Sequence, residues 1–243
     1  MLFPLRDLQR TRTAPVVTRA LLTANVFVHA WQMTRDRGEQ EAVLERFGVI
    51  PAVLLHGGHA GSLITPLTSM FLHGGLVHLI GNLWFLFVFG DHVEEALGRV
   101  RFAAFYALCG LCAAAAQVAM SPDSLVPMVG ASGAIAGVLG ATMMFFPRAR
   151  ILALVPPFIL LEVPAFVFLF VWIALEVGSA ALSLGGPGDA GGVAVFAHVG
   201  GFLAGLGLAP LMRRRTSRGH AMRDDAPRNV RLTPRDEDAH DPR

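Results

Sequence analysis

The chain has 243 residues, of which 53% are hydrophobic and only 16% are charged, whereas a typical soluble domain carries about a quarter charged residues. Its mean hydropathy is +0.54, and the charges lie in clusters between long uncharged runs. This pattern excludes an ordinary soluble domain and predicts a protein that crosses a membrane several times. The net charge of +2 is too small to indicate a nucleic-acid partner, and two cysteines imply no disulfide framework.

Six apolar segments are long enough to be membrane-spanning helices, since a helix needs about 20 residues to cross the hydrocarbon layer. In chain order they lie at about 15–34, 68–90, 102–120, within 124–147, at 159–182 and within 190–212. We expect helices because an unpaired backbone polar group is costly in lipid. The predicted fold is therefore an all-α membrane protein, a bundle of six transmembrane helices with a long first loop at 35–65.

The first loop mixes Arg35, Arg37 and Arg46 with acidic residues, and beyond it arginines fall on alternate connections between these spans. The second and fourth connections carry them, at Arg99, Arg101, Arg148 and Arg150. The third and fifth connections carry none, so the positive-inside rule predicts that both termini are cytoplasmic. The predicted regions are a cytoplasmic tail at 1–14, a membrane domain at 15–212 and a disordered, Arg-rich cytoplasmic tail at 213–243. All 20 basic residues are Arg, which favours a bacterial source and hence the bacterial inner membrane.

The second span contains the run HGGLVHLIGN. His78 and Asn82 are four residues apart, so they share one face of a helix, and His73 precedes them. Either residue alone is most simply explained by a hydrogen bond to a neighbouring helix. Two such residues on one face, near one membrane surface, indicate a functional site instead.

The fourth span opens with GASGA, which puts Ser132 between Gly130 and Gly133 near the start of a helix. A serine in a glycine-rich helix is often only a small packing residue. However, a helix start offers unpaired N–H groups and a favourable dipole for a developing anion. Glycines on both sides also let a substrate backbone approach closely. Ser132 is therefore a candidate nucleophile.

The sixth span reads AHVGGFLAG and supplies a candidate base, His198. Gly201 and Gly205 follow it at four-residue spacing, which favours close packing against the small residues of the fourth span. The second, fourth and sixth spans all run inward from the non-cytoplasmic side. They are expected to bring His198 and Ser132 to one depth, together with the polar groups of the second span.

The chemistry that this convergence predicts is acyl transfer by a Ser–His dyad. Nothing in the sequence ties Glu176, the only acid deep in a span, to His198, so no carboxylate is expected to orient the base. The Asn82 amide, the His78 ring and the Ser132 backbone N–H are candidate donors to the oxyanion. A polar cavity open to the outside would admit water, and we expect it to be lined by His73, His78, Asn82 and Ser132.

These motifs, in this order over about 15–212, resemble the rhomboid family of intramembrane serine proteases. The segment GDHVEEALG adds Gly90, Glu94 and Gly98, which match the GxxxExxxG of that family. The resemblance implies a serine endopeptidase that cuts peptide bonds in or near transmembrane segments of single-span or polytopic membrane proteins. It makes Ser132 the nucleophile and His198 the base. The other implied residues are His78, Asn82 and Gly130 at the oxyanion site, with Gly201 and Gly205 seating the sixth helix.

One departure lies in the first loop, where many members of that family carry Trp-Arg and this chain reads LITPLTSMFLHGG. Two other functions stay open. One is a catalytically inactive relative, which usually lacks the Ser or the His. The other is a transporter or metal carrier that uses His73, His78 and His198, for which the carboxylate and Cys content is poor. We therefore expect no cofactor and no metal, membrane-protein substrates and the lipid bilayer as partners, and no nucleic acid.

Overall fold

The computed structural model describes residues 3–7, 11–57, 60–155, 159–184 and 194–214. The α-helices of these ranges are α1 (Val16–Met33), α2 (Arg37–Phe47), α3 (Pro51–Leu55), α4 (Thr65–Thr68), α5 (Leu76–Leu97), α6 (Arg99–Met120), α7 (Ser132–Phe145), α8 (Ala165–Leu184) and α9 (Val195–Met212). Two 3-10 helices, Ala60–Ile64 and Ser69–Phe71, flank α4, and the strands are β1 (Phe3–Asp7), β2 (Arg150–Val155) and β3 (Ile159–Pro164). The C-terminal tail was predicted to be disordered, and its residues beyond Arg214 lie outside the described ranges.

Three helices of the described residues, α5, α6 and α9, are long and apolar enough to cross a membrane. The apolar helix α7 and the apolar part of α8, Ala165–Ser179, are shorter. Helix α1 has the length of a span but buries the polar side chains of Asn25, His29 and Gln32. The fold is therefore mostly helical and built around long apolar helices, while the count of six spans stays a prediction.

The mostly helical fold also contains a small antiparallel sheet, which the all-α prediction did not include. The strand order is β1-β2-β3, with Phe3 opposite Leu154 in the first pair and Arg150 opposite Pro164 in the second. The fifth span was predicted to begin at 159, but residues 159–164 are strand β3 and the helix begins at Ala165. A short apolar run can be a strand or part of a helix, so composition alone did not separate the two.

The N-terminal strand is tied to the helices through Trp84 of α5. The Trp84 indole N–H donates a hydrogen bond to the carbonyl oxygen of Pro4. The ring of Phe3 stacks on Trp84 with 5.5 Å between ring centroids. The predicted N-terminal tail at 1–14 thus contains an ordered strand that packs against the helical bundle.

Helices α7 and α9 pack through glycines. A Cβ atom added to Gly201 would overlap the carbonyl oxygen of Gly133, and one added to Gly205 would overlap that of Gly137. No side chain fits between two backbones this close, which is the packing that small residues at four-residue spacing allow. Gly133 lies near the start of α7, and Gly201 lies in the first half of α9. Their contact therefore sets the relative depth of the residues that come just before them.

The first loop is held by hydrogen bonds to its backbone. The Gln32 side chain both donates to the His73 carbonyl and accepts from the His73 N–H, each at 3.2 Å. The Thr68 hydroxyl donates to the Phe47 carbonyl at 2.7 Å. Val49 and Met128 exchange two backbone hydrogen bonds of 3.0 and 2.8 Å. These bonds anchor a loop that lacks the Trp-Arg pair.

Glu94 joins α5 to the start of α1. Its carboxylate is buried and accepts hydrogen bonds from the Val17 N–H at 3.0 Å and from the N–H and hydroxyl of Thr18 at 2.8 Å. The first N–H groups of a helix have no partner within the helix, and the helix dipole favours an anion there. Glu94 therefore serves as a cap for α1 that is supplied by another helix.

Replacing Glu94 by Ala is expected to destabilise the fold by about 2–4 kcal/mol, since it leaves several buried donors without an acceptor. Equilibrium unfolding in mixed detergent micelles measures this loss. The matched control is Glu95→Ala, which removes a neighbouring carboxylate that accepts one exposed hydrogen bond from the Arg12 N–H. Equal stabilities of the two variants would contradict the capping role.

Candidate functional site

A cavity of about 840 Å³ opens between α5, α7, α8 and α9. Five of the predicted site residues line it: His78, Asn82, Gly130, Ser132 and His198. They come from α5, from α7 with the turn before it, and from α9, so residues far apart in the chain share one space.

Ser132 is the first residue of α7 and is half-buried at the cavity wall. The preceding Gly130 has φ of +122°, a backbone conformation that residues with a side chain rarely adopt. A Cβ at Gly130 would lie 2.7 Å from Cε1 and 2.8 Å from Nε2 of the His78 ring. Only a glycine therefore fits this turn, and its N–H donates to the Ser69 carbonyl at 2.9 Å, which fixes the entry into α7.

His78 and Asn82 reach the same turn from α5. They are one helical turn apart, and the Asn82 Nδ2 donates to the His78 carbonyl at 3.1 Å. Asn82 is buried, whereas the His78 side chain is exposed to the cavity. A Cβ at Gly130 would lie 3.6 Å from the Asn82 Nδ2, so both nitrogen-bearing side chains face the turn that leads to Ser132.

The glycine contact between α7 and α9 brings Ser132 and His198 to similar depth. Gly133 of α7 lies level with Gly201 of α9, as the overlap of a Cβ at Gly201 with the Gly133 carbonyl requires. At about 1.5 Å of rise per residue, Ser132 lies ~1.5 Å before this level and His198 ~4.5 Å before it. Along the helix axes, the two residues therefore lie within one helical turn of each other, and both line the cavity.

His198 is held by two residues of α8 that the sequence analysis did not connect to it. Its Nδ1 lies 2.8 Å from Oε2 of Glu176, and its ring centroid lies 6.1 Å from that of Trp172. The expectation that nothing ties Glu176 to His198 is therefore wrong. The number of residues between Glu176 and His198 does not determine how α8 and α9 align, so spacing in the sequence could not pair these residues. Burying an acid inside an apolar helix costs free energy, and this cost was the signal in the sequence that Glu176 has a partner.

His73 does not line the cavity, contrary to the sequence-based expectation. It is 1% exposed, and its ring lies edge-on to His78 at 5.3 Å and to His29 at 6.2 Å between centroids. Helix α5 begins only at Leu76, so His73 belongs to the turn before the helix and not to its cavity face. Among the described residues, neither ring nitrogen of His73 has a hydrogen-bond partner.

The remaining predicted residues lie outside the cavity. Gly201 and Gly205 pack α9 on α7, and Glu94 caps α1. Within the described ranges, no group of three or more His, Cys, Asp or Glu residues is placed to hold a metal ion. Cys109 is buried and Cys112 exposed, and both are free thiols.

Long apolar helices around a cavity with serine, imidazole and amide groups define an integral membrane protein with a polar site between its helices. The rhomboid domain model matches residues 60–215, a range that includes the whole lining of the cavity. The chain belongs to the rhomboid family, which confirms the resemblance found in its motifs.

Several curated proteins are similar to this chain. RHOMBOID-like protein 6, mitochondrial, of Arabidopsis thaliana is 29% identical over 185 residues, which cover 72% of this chain and 52% of that protein. Rhomboid protease GluP of Bacillus subtilis (strain 168) is 31% identical over 165 residues, covering 68% of this chain and 29% of GluP. Rhomboid protein 1, mitochondrial, of Saccharomyces cerevisiae is 32% identical over 160 residues, which cover 63% of this chain and 43% of that protein. The chain thus spans about half the length of these relatives or less.

Proposed function

We propose that this protein is an intramembrane serine endopeptidase that hydrolyses peptide bonds in or near the transmembrane segments of other membrane proteins. The observation that carries the proposal is the presence of Ser132 and His198 in one cavity, with Asn82 and His78 beside them. Membership of the rhomboid family, with a relative named Rhomboid protease GluP, supports the same activity.

In the proposed reaction, His198 activates Ser132. A serine hydroxyl is a weak nucleophile and needs an adjacent base. His198 Nε2 takes the hydroxyl proton while Oγ attacks the scissile carbonyl, and the same proton then goes to the leaving amine. A water molecule next attacks the acyl-enzyme with His198 again as base, which releases the new carboxyl terminus and restores the serine.

The tetrahedral oxyanion needs hydrogen-bond donors placed in advance. The candidates are the Asn82 Nδ2, a ring N–H of His78 and the backbone N–H of Ser132, at the positive end of the α7 dipole. The missing side chain at Gly130 leaves room for the His78 ring to lie against the turn that leads to Ser132.

Asn82→Ala is expected to lower kcat by about 10²-fold with little change in KM, because it removes one of several oxyanion donors. Steady-state cleavage of one purified substrate measures both constants. The matched control is Asn25→Ala, which removes an amide that donates to the Leu21 carbonyl within α1, away from the cavity. Wild-type turnover in Asn82→Ala would remove this residue from the oxyanion site.

We also propose that the membrane domain at 15–212 has six spans and that both termini are cytoplasmic. Support comes from the end of the bundle opposite the cavity. There, Nη1 of Arg101 donates to the carbonyls of Met212 and Arg213, both at 3.3 Å. Arg150 of β2 pairs with Glu162 of β3 at 3.5 Å in the connection between α7 and α8. Arginine-rich connections favour the cytoplasmic face, and the bacterial inner membrane is the proposed location.

The function is tested with purified protein in liposomes and a panel of single-span membrane substrates. We expect discrete products whose new termini, found by mass spectrometry, lie in or near the transmembrane segment. Prior treatment with a serine-directed fluorophosphonate should abolish them. Metal-dependent uptake into the same liposomes, with no cleavage and no fluorophosphonate labelling, would favour a transporter and overturn the proposal.

A further inference from the structure

We infer that Glu176 is a positioning residue for His198, in addition to the proposed serine and base. The inference rests on the proposed function and deepens it. The contact that carries it is the 2.8 Å separation between Glu176 Oε2 and His198 Nδ1.

This contact selects the tautomer of the neutral imidazole. An ionised carboxylate can only accept hydrogen bonds, so the single ring proton must lie on Nδ1. The lone pair is then on Nε2, the nitrogen that the proposed mechanism uses to take the serine proton. A ring with its proton on Nε2 could not act as the base.

The contact is enclosed and braced. The side chains of Glu176 and His198 are only 17% and 13% exposed, and an acid in such surroundings requires a partner. Trp172 lies one turn before Glu176 on the same face of α8 and packs its ring against those of His198 and Phe202, with centroids 6.1 and 6.0 Å apart. One face of α8 therefore limits both the rotation and the flipping of the imidazole.

Glu176 also affects the charge that develops during reaction. When the proton moves from Ser132 Oγ to His198 Nε2, the ring becomes a cation and keeps its Nδ1 proton. The neighbouring carboxylate stabilises this cation without taking a proton itself. Removing the carboxylate should therefore slow the chemical step more than it weakens substrate binding.

The kinetic test compares Glu176→Gln, Glu176→Asp and a control in liposomes with one substrate. Glu176→Gln is expected to lower kcat by about 10- to 100-fold, with KM changed less than about twofold. Glu176→Asp keeps the charge at greater distance and should recover part of the loss. Leu175→Ala, at a neighbouring position that is 53% exposed and outside the cavity, should turn over like the wild type.

A second measurement needs no substrate. Nitrogen-15 NMR of histidine-labelled protein in bilayers reports which ring nitrogen carries the proton, and comparison with His198→Gln assigns the signal. We expect the Nδ1–H tautomer in the wild type. In Glu176→Gln the amide can present its NH₂ as well as its oxygen, so the Nε2–H tautomer should appear.

A lower kcat together with the tautomer change would support the positioning role. If the Glu176→Gln variant keeps the wild-type tautomer, the positioning role is overturned. This holds whether kcat is unchanged or falls together with the thermal stability. Failure of the proposed function gives a different result, in which the wild-type protein neither cleaves nor reacts with the fluorophosphonate, whatever the tautomer of His198.

Discussion

Ser132→Ala is expected to abolish cleavage of every membrane substrate that the wild-type protein cuts. The proposed reaction requires the Oγ atom for the acyl-enzyme, and loss of a serine nucleophile costs on the order of 10⁶-fold in turnover in serine proteases. The same variant should lose all labelling by a fluorophosphonate. Both effects are measured on purified protein in liposomes, with product detected by mass spectrometry.

The fold should survive this change. The N-cap of α7 is Ala131, and no side chain caps the helix by a hydrogen bond, so the hydroxyl of Ser132 makes no capping contribution to lose. The matched control is Ser179→Ala, which removes a hydroxyl that donates to the Leu175 carbonyl on α8, outside the cavity. Cleavage that persists in folded Ser132→Ala would place the nucleophile elsewhere and end the assignment.

The shared location of His78, Asn82, Ser132 and His198 at one cavity was predictable because their signals are local. The four-residue spacing of His78 and Asn82 puts both on one helix face whatever the rest of the fold does. The glycines near Ser132 and His198 indicate close packing of their helices, and the structure has the α7 backbone against that of α9. Helices α5, α7 and α9 then bring these residues to one cavity.

The features that the sequence did not reveal depend on how separate elements align. His73 shares its motif with His78, yet the helix begins three residues after it and the cavity lining does not include it. Strand β1 pairs with β2, which lies far along the chain, and no local pattern determines that pairing. The contact of Glu176 with His198 requires α8 and α9 to align across a connection, and only tertiary packing sets that alignment.

Glu176 was nevertheless detectable in part. An acid within an apolar helix carries a desolvation cost that some partner must offset. Its four-residue spacing from Trp172 marks one face of α8, and that face packs on α9. The sequence therefore indicated that Glu176 has a partner, while the identity of the partner came only from the packing of the two helices.

His198→Ala is the second change expected to abolish activity, with a loss on the order of 10⁴-fold or more, because no base remains to activate Ser132. Fluorophosphonate labelling of Ser132 should fall with it, since that reaction also needs the activated hydroxyl. The variant differs from Ser132→Ala in one respect. It leaves the Glu176 carboxylate enclosed without its 2.8 Å partner, which is expected to cost about 1–3 kcal/mol of stability.

His198→Gln separates the two effects. The glutamine amide can still donate a hydrogen bond to Glu176 but cannot act as a base, so this variant should be inactive and close to the wild type in thermal stability. Both variants are compared by cleavage in liposomes and by thermal unfolding in detergent. Activity in folded His198→Gln would mean that another group takes the proton from Ser132. Equal stabilities of the Ala and Gln variants would mean that the contact with Glu176 contributes little to the packing of α8 on α9.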